Sequence, residues 1–195
     1  MEHNLALSLF SVVLTVVSFA WYCFHIFKGT DRPHAFSWGI WALITGIAFG
    51  VQLTQQAGIA SVALGAHALT CGIIASIGVY KKNFAYSLVD WLSLVGALVS
   101  IALWLFFKEP LQAVILLCVI DIFAFIPSFR KGFRKPFEDN VIKFLLDVVK
   151  FIPPLFALES YSIANWLYIA CIIATNTAFA LWLLVRRYQT KHRFT

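Results

Sequence analysis

Apolar residues run through this chain in seven long blocks, interrupted only by short polar or basic turns. The blocks cover roughly 5–27, 36–54, 58–80, 86–107, 110–129, 140–158 and 161–186. A helix needs about 20 predominantly apolar residues to cross a bilayer, and each block is close to that length. The pattern therefore predicts an all-α, polytopic membrane protein with seven transmembrane helices. The first block follows Met1-Glu2-His3-Asn4, has no basic n-region and is too long for a signal-peptide core, so it is expected to be retained as a span.

The turns repeat. Lys28-Gly29-Thr30-Asp31-Arg32-Pro33 and Lys131-Gly132-Phe133-Arg134-Lys135-Pro136 both read Lys-Gly-x-x-basic-Pro, 103 residues apart. The third block ends at Tyr80-Lys81-Lys82 and the seventh at Val185-Arg186-Arg187, which needs an offset of 105. The expected plan is 3+1+3: one repeat over about 5–82, a linker helix over about 86–107, and a second repeat over about 110–187. Three helices leave the copies on opposite faces, so a single extra crossing restores a parallel duplication of the kind used by many small transporters.

Composition agrees with the pattern. Hydrophobic residues make up 61% of the chain, charged residues 12%, and the mean hydropathy is +0.84. A soluble fold of this size has too little interior for that apolar surface. The net charge of +6 does not indicate nucleic acid, because Lys and Arg sit in clusters between apolar blocks. Alternating the loops puts Lys28, Arg32, Lys81, Lys82, Arg130, Lys131, Arg134, Lys135, Arg186, Arg187, Lys191 and Arg193 on one face, and Lys108 alone on the other. The positive-inside rule then gives an outside N-terminus, a cytoplasmic C-terminus and an odd number of spans, with the plasma (inner) membrane as the expected location. Cys23, Cys71, Cys118 and Cys171 are spread over four spans, with neither metal-ligand nor disulfide spacing.

An ionisable group at mid-membrane is a functional candidate by default. Asp121, Asp147, Lys150 and His67 fall deep within their blocks, whereas Asp90 lies a turn inside and Lys143 is expected to snorkel to the cytoplasmic surface. Asp147 and Lys150 stand i, i+3. They are either a self-neutralising pair that fixes the helix rotation or, with Asp121, the lining of a polar cavity between the fifth and sixth helices. Counted alone, these three charges leave one carboxylate in excess, able to accept a proton or a cation. The loop offset matches Asp121 to Ser18 and Asp147 to Ile44, so charge-dependent chemistry is expected in the second half only. Pro127 and Pro153-Pro154 remove backbone donors and should kink their helices. Trp21, Trp38 and Trp41 read as interface anchors or as stacking platforms.

The 3+1+3 plan resembles the sugar-facilitator and PQ-loop superfamily (SWEET-type proteins). Ile122-Phe123-Ala124-Phe125-Ile126-Pro127-Ser128-Phe129-Arg130-Lys131-Gly132 is similar to the PQ-loop stretch, with Ser128 where that family has Gln; the first copy has Phe24-His25 and lacks the proline. In that family an Asn on the third helix of each repeat contacts the sugar. The resemblance implies that role for Asn176, within Thr175-Asn176-Thr177; its first-half counterpart is Cys71, with His67 one turn earlier as a substitute. The expected site is thus Asp121, Asp147, Lys150, Asn176 and His67. The expected function is facilitated or proton-coupled carriage of a small polar solute. The alternative is a sorting or sensory receptor, since ER-retention-signal receptors resemble the same superfamily. A retinal protein is disfavoured because the seventh helix has no lysine within the membrane. No Gly-rich phosphate loop, Walker motif or His/Glu metal signature occurs, so an ATP-driven pump is not expected; the expected protein is not an enzyme and carries no cofactor or metal. The expected partners are the solute, protons, membrane lipids and further copies of the chain in a homo-oligomer, with no nucleic acid.

Overall fold

The computed structural model describes residues 2–82, 88–107 and 109–191, with some side chains of the fourth helix and that of Pro127 left aside. Lys108 and Arg193, and the side chains of Asp90 and Pro127, lie outside this set. Among the described residues the chain is helical without strands. Its helices are α1 (Glu2–Lys28), α2 (Ala35–Thr54), α3 (Val62–Tyr80), α4 (Leu88–Phe107), α5 (Pro110–Arg134), α6 (Val141–Ala157) and α7 (Ile163–Lys191), with a 3₁₀ turn at Gly58–Ser61 leading into α3. Five segments are long and apolar enough to cross a membrane: α1, α2, the 3₁₀ turn with α3, α5 and α7. At 17 residues α6 is the shortest of the helices.

Two helices, α1 and α6, bury polar side chains and expose apolar ones, the reverse of a soluble bundle. α1 buries Ser8, Ser11, Thr15, Ser18 and Tyr22 along one stripe and exposes Leu9, Phe10, Val13, Val16, Val17 and Phe24. α6 buries Lys143, Asp147 and Lys150 and exposes Ile142, Leu145, Val149, Ile152 and Phe156. Large apolar side chains face outward without penalty only where the solvent is itself apolar, which together with the five long apolar segments marks a membrane protein.

Packing follows a simple scheme. α3 lies between α1 and α2, and α7 lies between α5 and α6. Across the two triplets α1 packs on α6 and α2 on α5, while α4 rests outside on α5 and α2. The C-terminal ends of α1, α3, α5 and α7 meet at one face of the bundle. There Lys81 Nζ donates to the Ile26 carbonyl (2.8 Å), Arg186 to the Phe133 carbonyl (3.1 Å) and Arg187 to the Pro136 carbonyl (2.9 Å). The α1–α2 turn meets the α5–α6 turn and the end of α5 there too, through Asn140 Nδ2 to Asp31 Oδ2 (3.1 Å) and Lys131 Nζ to the Arg32 carbonyl (3.2 Å).

The two similar turns are not built alike. Gly29 has φ +82°, a left-handed conformation that ends α1, and the Gly29 and Thr30 amides donate back to the carbonyls of Ile26 and His25. Gly132 stays helical, because α5 runs on to Arg134. A Cβ there would sit 2.8 Å from Leu183 Cδ2, so glycine serves close helix approach instead. The helix ends set another register. Lys28 and Arg134 close α1 and α5, and the N-caps His34 and Asn140 open α2 and α6, each pair 106 residues apart. Both caps accept from the third backbone N–H of their helix, that of Ser37 or Lys143. An offset of 106 would pair Asp121 with Thr15 and Asp147 with Trp41, where the turn letters pair them with Ser18 and Ile44.

Candidate functional site

Asp147 is the centre of a buried charge cluster on α6. Lys150 Nζ lies 2.6 Å from Asp147 Oδ1, and Lys143 Nζ bonds Asp147 Oδ2. Positions 143, 147 and 150 share one helix face by their i, i+4 and i+7 spacing. The expectation that Lys143 snorkels outward is therefore corrected. The residue is 2% exposed and also lies over the Trp38 ring, 5.0 Å from its centroid. The charge count changes with it. Within α6 two lysines share one aspartate, and with Lys143 counted the buried set of Asp121, Asp147, Lys143 and Lys150 holds two acids and two bases, so no carboxylate is left in excess.

The cluster extends across the bundle. Lys150 Nζ is 3.0 Å from His67 Nδ1 on α3. An ammonium group only donates, so Nδ1 accepts and the ring proton resides on Nε2, which lies 3.6 Å from Cys71 Sγ. His67 also meets Phe151 edge-on, at 5.1 Å. The α6 backbone continues through Pro153 and Pro154, and Pro154 leaves the Lys150 carbonyl without its helical donor. Ser11 of α1 supplies that donor across the bundle at 2.6 Å.

Asp121 lies on the other side. It is 3% exposed, and its Oδ2 accepts from Thr175 Oγ1 at 2.8 Å. The Trp41 indole nitrogen is near the same carboxylate without a well-formed hydrogen bond to any group. Asn176 donates to the Ile172 carbonyl of its own helix (2.8 Å). Asp121, Asp147, His67 and Asn176 line one central cavity of about 20 Å³, together with Thr45 and Tyr168. That volume suits about one water molecule. Lys150 is set back from it, behind Asp147 and His67. The buried Tyr168 hydroxyl has no protein partner.

A second cavity of about 320 Å³ opens at the basic face. Its mouth carries Arg32, His34, Arg130, Lys131, Arg134 and Asp139, and its floor is Tyr22, Trp38, Trp41 and Phe144. Trp38, Trp41 and Phe144 border both cavities, so one aromatic layer separates the vestibule from the charged centre. Trp38 and Trp41 meet edge-on with centroids 5.2 Å apart, and Trp41 continues to Phe125 at 5.0 Å. At the opposite end the bundle is tied shut. Gln52 Nε2 donates to the Asn165 carbonyl (2.6 Å), and Asn165 Nδ2 donates to the carbonyls of Gln55 (3.0 Å) and Ser160 (2.9 Å).

Sequence reasoning read Arg32, Arg130, Lys131 and Arg134 only as topology signals and did not single out Thr45 or Tyr168. The i−4 spacing of Lys143 from Asp147 was the available signal for the third member of the cluster. Among the described residues no group of His, Cys, Asp or Glu has metal-binding geometry, and all four cysteines are free. No protein-family model matches the chain, and no curated protein or solved structure matches it significantly.

At the mouth, Lys131 pairs with Asp139 at 2.7 Å. Burial pushes the Asp139 carboxyl above the ordinary carboxylate range, with Lys131 opposing. A raised folded-state value favours the protonated form. Its contribution to stability is present at low pH and is lost as pH rises through that value. Asp139→Asn mimics the protonated carboxyl. Its melting temperature in detergent should therefore gain on the wild type as pH climbs from the carboxylate range toward neutral. A difference that stays flat with pH contradicts this.

Proposed function

We propose that the protein is a seven-span carrier for a small polar solute, built from two three-helix repeats joined by α4 and related to the SWEET and PQ-loop type. The observation that carries this reading is the continuous series of vestibule, aromatic layer and buried charged cavity, tied off at the far end by Gln52 and Asn165. That is the layout of a carrier open to one side. The packing supports the duplication. Exchanging α1 with α5 and α2 with α6 turns the α1–α6 interface into the α5–α2 interface, and each third helix lies between its first two. The basic face is taken as cytoplasmic, with the N-terminus outside. Pro153-Pro154 in α6 and Gly29 after α1 give the bundle places to bend.

Solute flux into proteoliposomes, run over sugars, vitamins and nucleosides, tests the function. Saturable uptake of at least one class supports it. The receptor alternative is favoured by the small size of the central cavity, and it predicts binding with no flux. The topology is tested separately: a reporter fused after Thr195 should report the cytoplasm and a tag before Met1 the outside. Both on one side would contradict seven spans.

A further inference from the structure

We infer that the solute is a small organic anion, its carboxylate or phosphate held by Arg32, Arg130 and Arg134 and its body resting on the Trp38–Trp41 floor. This rests on the carrier reading and names its substrate class. Charge comes first. Four permanent cations line the vestibule, namely Arg32, Arg130, Lys131 and Arg134, against the single carboxylate of Asp139. Lys131 and Asp139 satisfy each other at 2.7 Å. Three guanidinium groups remain in excess, on exposed residues around the mouth. Of the two other nearby acids, Asp31 is buried and accepts from Asn140. Glu138 is held by Lys135 at 2.9 Å and is not part of the lining.

Membrane topology alone does not account for this arrangement. It asks for cations at this face but not around a cavity, and Lys28, Lys81, Lys82, Arg186, Arg187 and Lys191 meet that need elsewhere on the face. Guanidinium groups suit carboxylate and phosphate because their planar N–H forks engage two oxygens at once. The remaining walls suit an organic body. Tyr22, Trp38, Trp41 and Phe144 form an apolar base, while the Ser37 and Ser128 hydroxyls stand on the lining within it. A volume of about 320 Å³ accommodates a small organic molecule rather than a bare inorganic ion. Deeper in, the Lys143–Asp147–Lys150 cluster lies beneath the floor, with Lys143 Nζ over the Trp38 ring at 5.0 Å from its centroid.

The test uses the full chain in zwitterionic nanodiscs, titrated by calorimetry with benzoate, phenyl phosphate and the neutral isostere benzamide. At least one of the two anions should bind saturably, about tenfold or more tighter than benzamide, the scale of a charge-assisted pair. The triple variant Arg32→Gln, Arg130→Gln, Arg134→Gln should lose that preference. Arg186→Gln with Lys191→Gln, which removes charge from the same face outside the cavity, should keep it. Equal binding of benzamide, no saturable binding of either anion, or full anion binding by the triple variant overturns the inference. If the triple variant does not fold, the anion-to-benzamide ratio in the wild type and in the Arg186/Lys191 variant decides. A further arm adds phosphatidylglycerol. Loss of soluble-anion binding with lipid retained by the three arginines would assign the site to lipid headgroups and overturn the solute claim. Anion binding without flux would sink the carrier reading alone. Flux of neutral solutes without anion binding would sink this inference alone.

Discussion

Asp147→Asn should cost more stability than any other single substitution at the centre of the bundle, about 3–5 kcal/mol, the range for removing one partner from a buried ion pair. The change leaves Lys143 and Lys150 buried without the carboxylate that compensates both of them. Folded proteins hold only about 5–15 kcal/mol in reserve, so little folded protein should accumulate. Lys150→Met and Lys143→Met should each cost less, because one lysine still balances Asp147. Replacing all three by apolar residues of similar size should recover much of the loss, since a buried ion pair owes its value mainly to mutual compensation. Thermal melting in a mild detergent ranks the variants. If Asp147→Asn is no worse than Lys150→Met, the cluster is not held together by Asp147.

On the proton-coupled carrier reading, Asp121→Asn should fold and yet remove the pH dependence of transport. Two carboxylates reach the central cavity. Asp147 is clamped by two lysines, so protonating it would break ion pairs. Asp121 accepts a neutral hydroxyl from Thr175. It is the carboxylate there that can take up a proton without disrupting a charge pair. Flux measured in proteoliposomes across mildly acidic to alkaline pH should slope in the wild type and be flat in Asp121→Asn. A slope that survives the substitution removes Asp121 from the coupling role.

The seven helices were legible in the sequence because apolar block length is a local property. The inward position of Asp121, Asp147 and Lys150 was legible because lipid penalises charge so heavily. Lys143 was misread for the opposite reason. Two or three residues from a helix end, a lysine can reach either water or the core, and the choice depends on helix rotation. That rotation is set by packing against α1, where Ser11 meets the Lys150 carbonyl, a contact 139 residues apart in sequence. The vestibule was invisible because its lining is drawn from α1, α2, α5, α6 and the turns between them, which only the folded bundle brings together. The repeated turn letters misled in detail. Glycine ends a helix at Gly29 and continues one at Gly132, where the neighbouring Leu183 leaves no room for a Cβ without movement, and no pattern of nearby letters encodes that contact.

Accessibility of the central cavity from the two faces tests the carrier account most directly. In a protein with its own cysteines replaced, Thr45→Cys places a thiol on the cavity wall. A small, charged methanethiosulfonate reagent is then applied from either face of oriented vesicles. A carrier whose basic face is cytoplasmic predicts labelling from that face in the parent. Asn165→Ala, which cuts the ties to Gln55 and Ser160 at the far end, should shift labelling toward the outside while cytoplasmic labelling falls. Labelling from the cytoplasmic face alone, unchanged by Asn165→Ala, would contradict alternating access and leave a receptor with a closed floor.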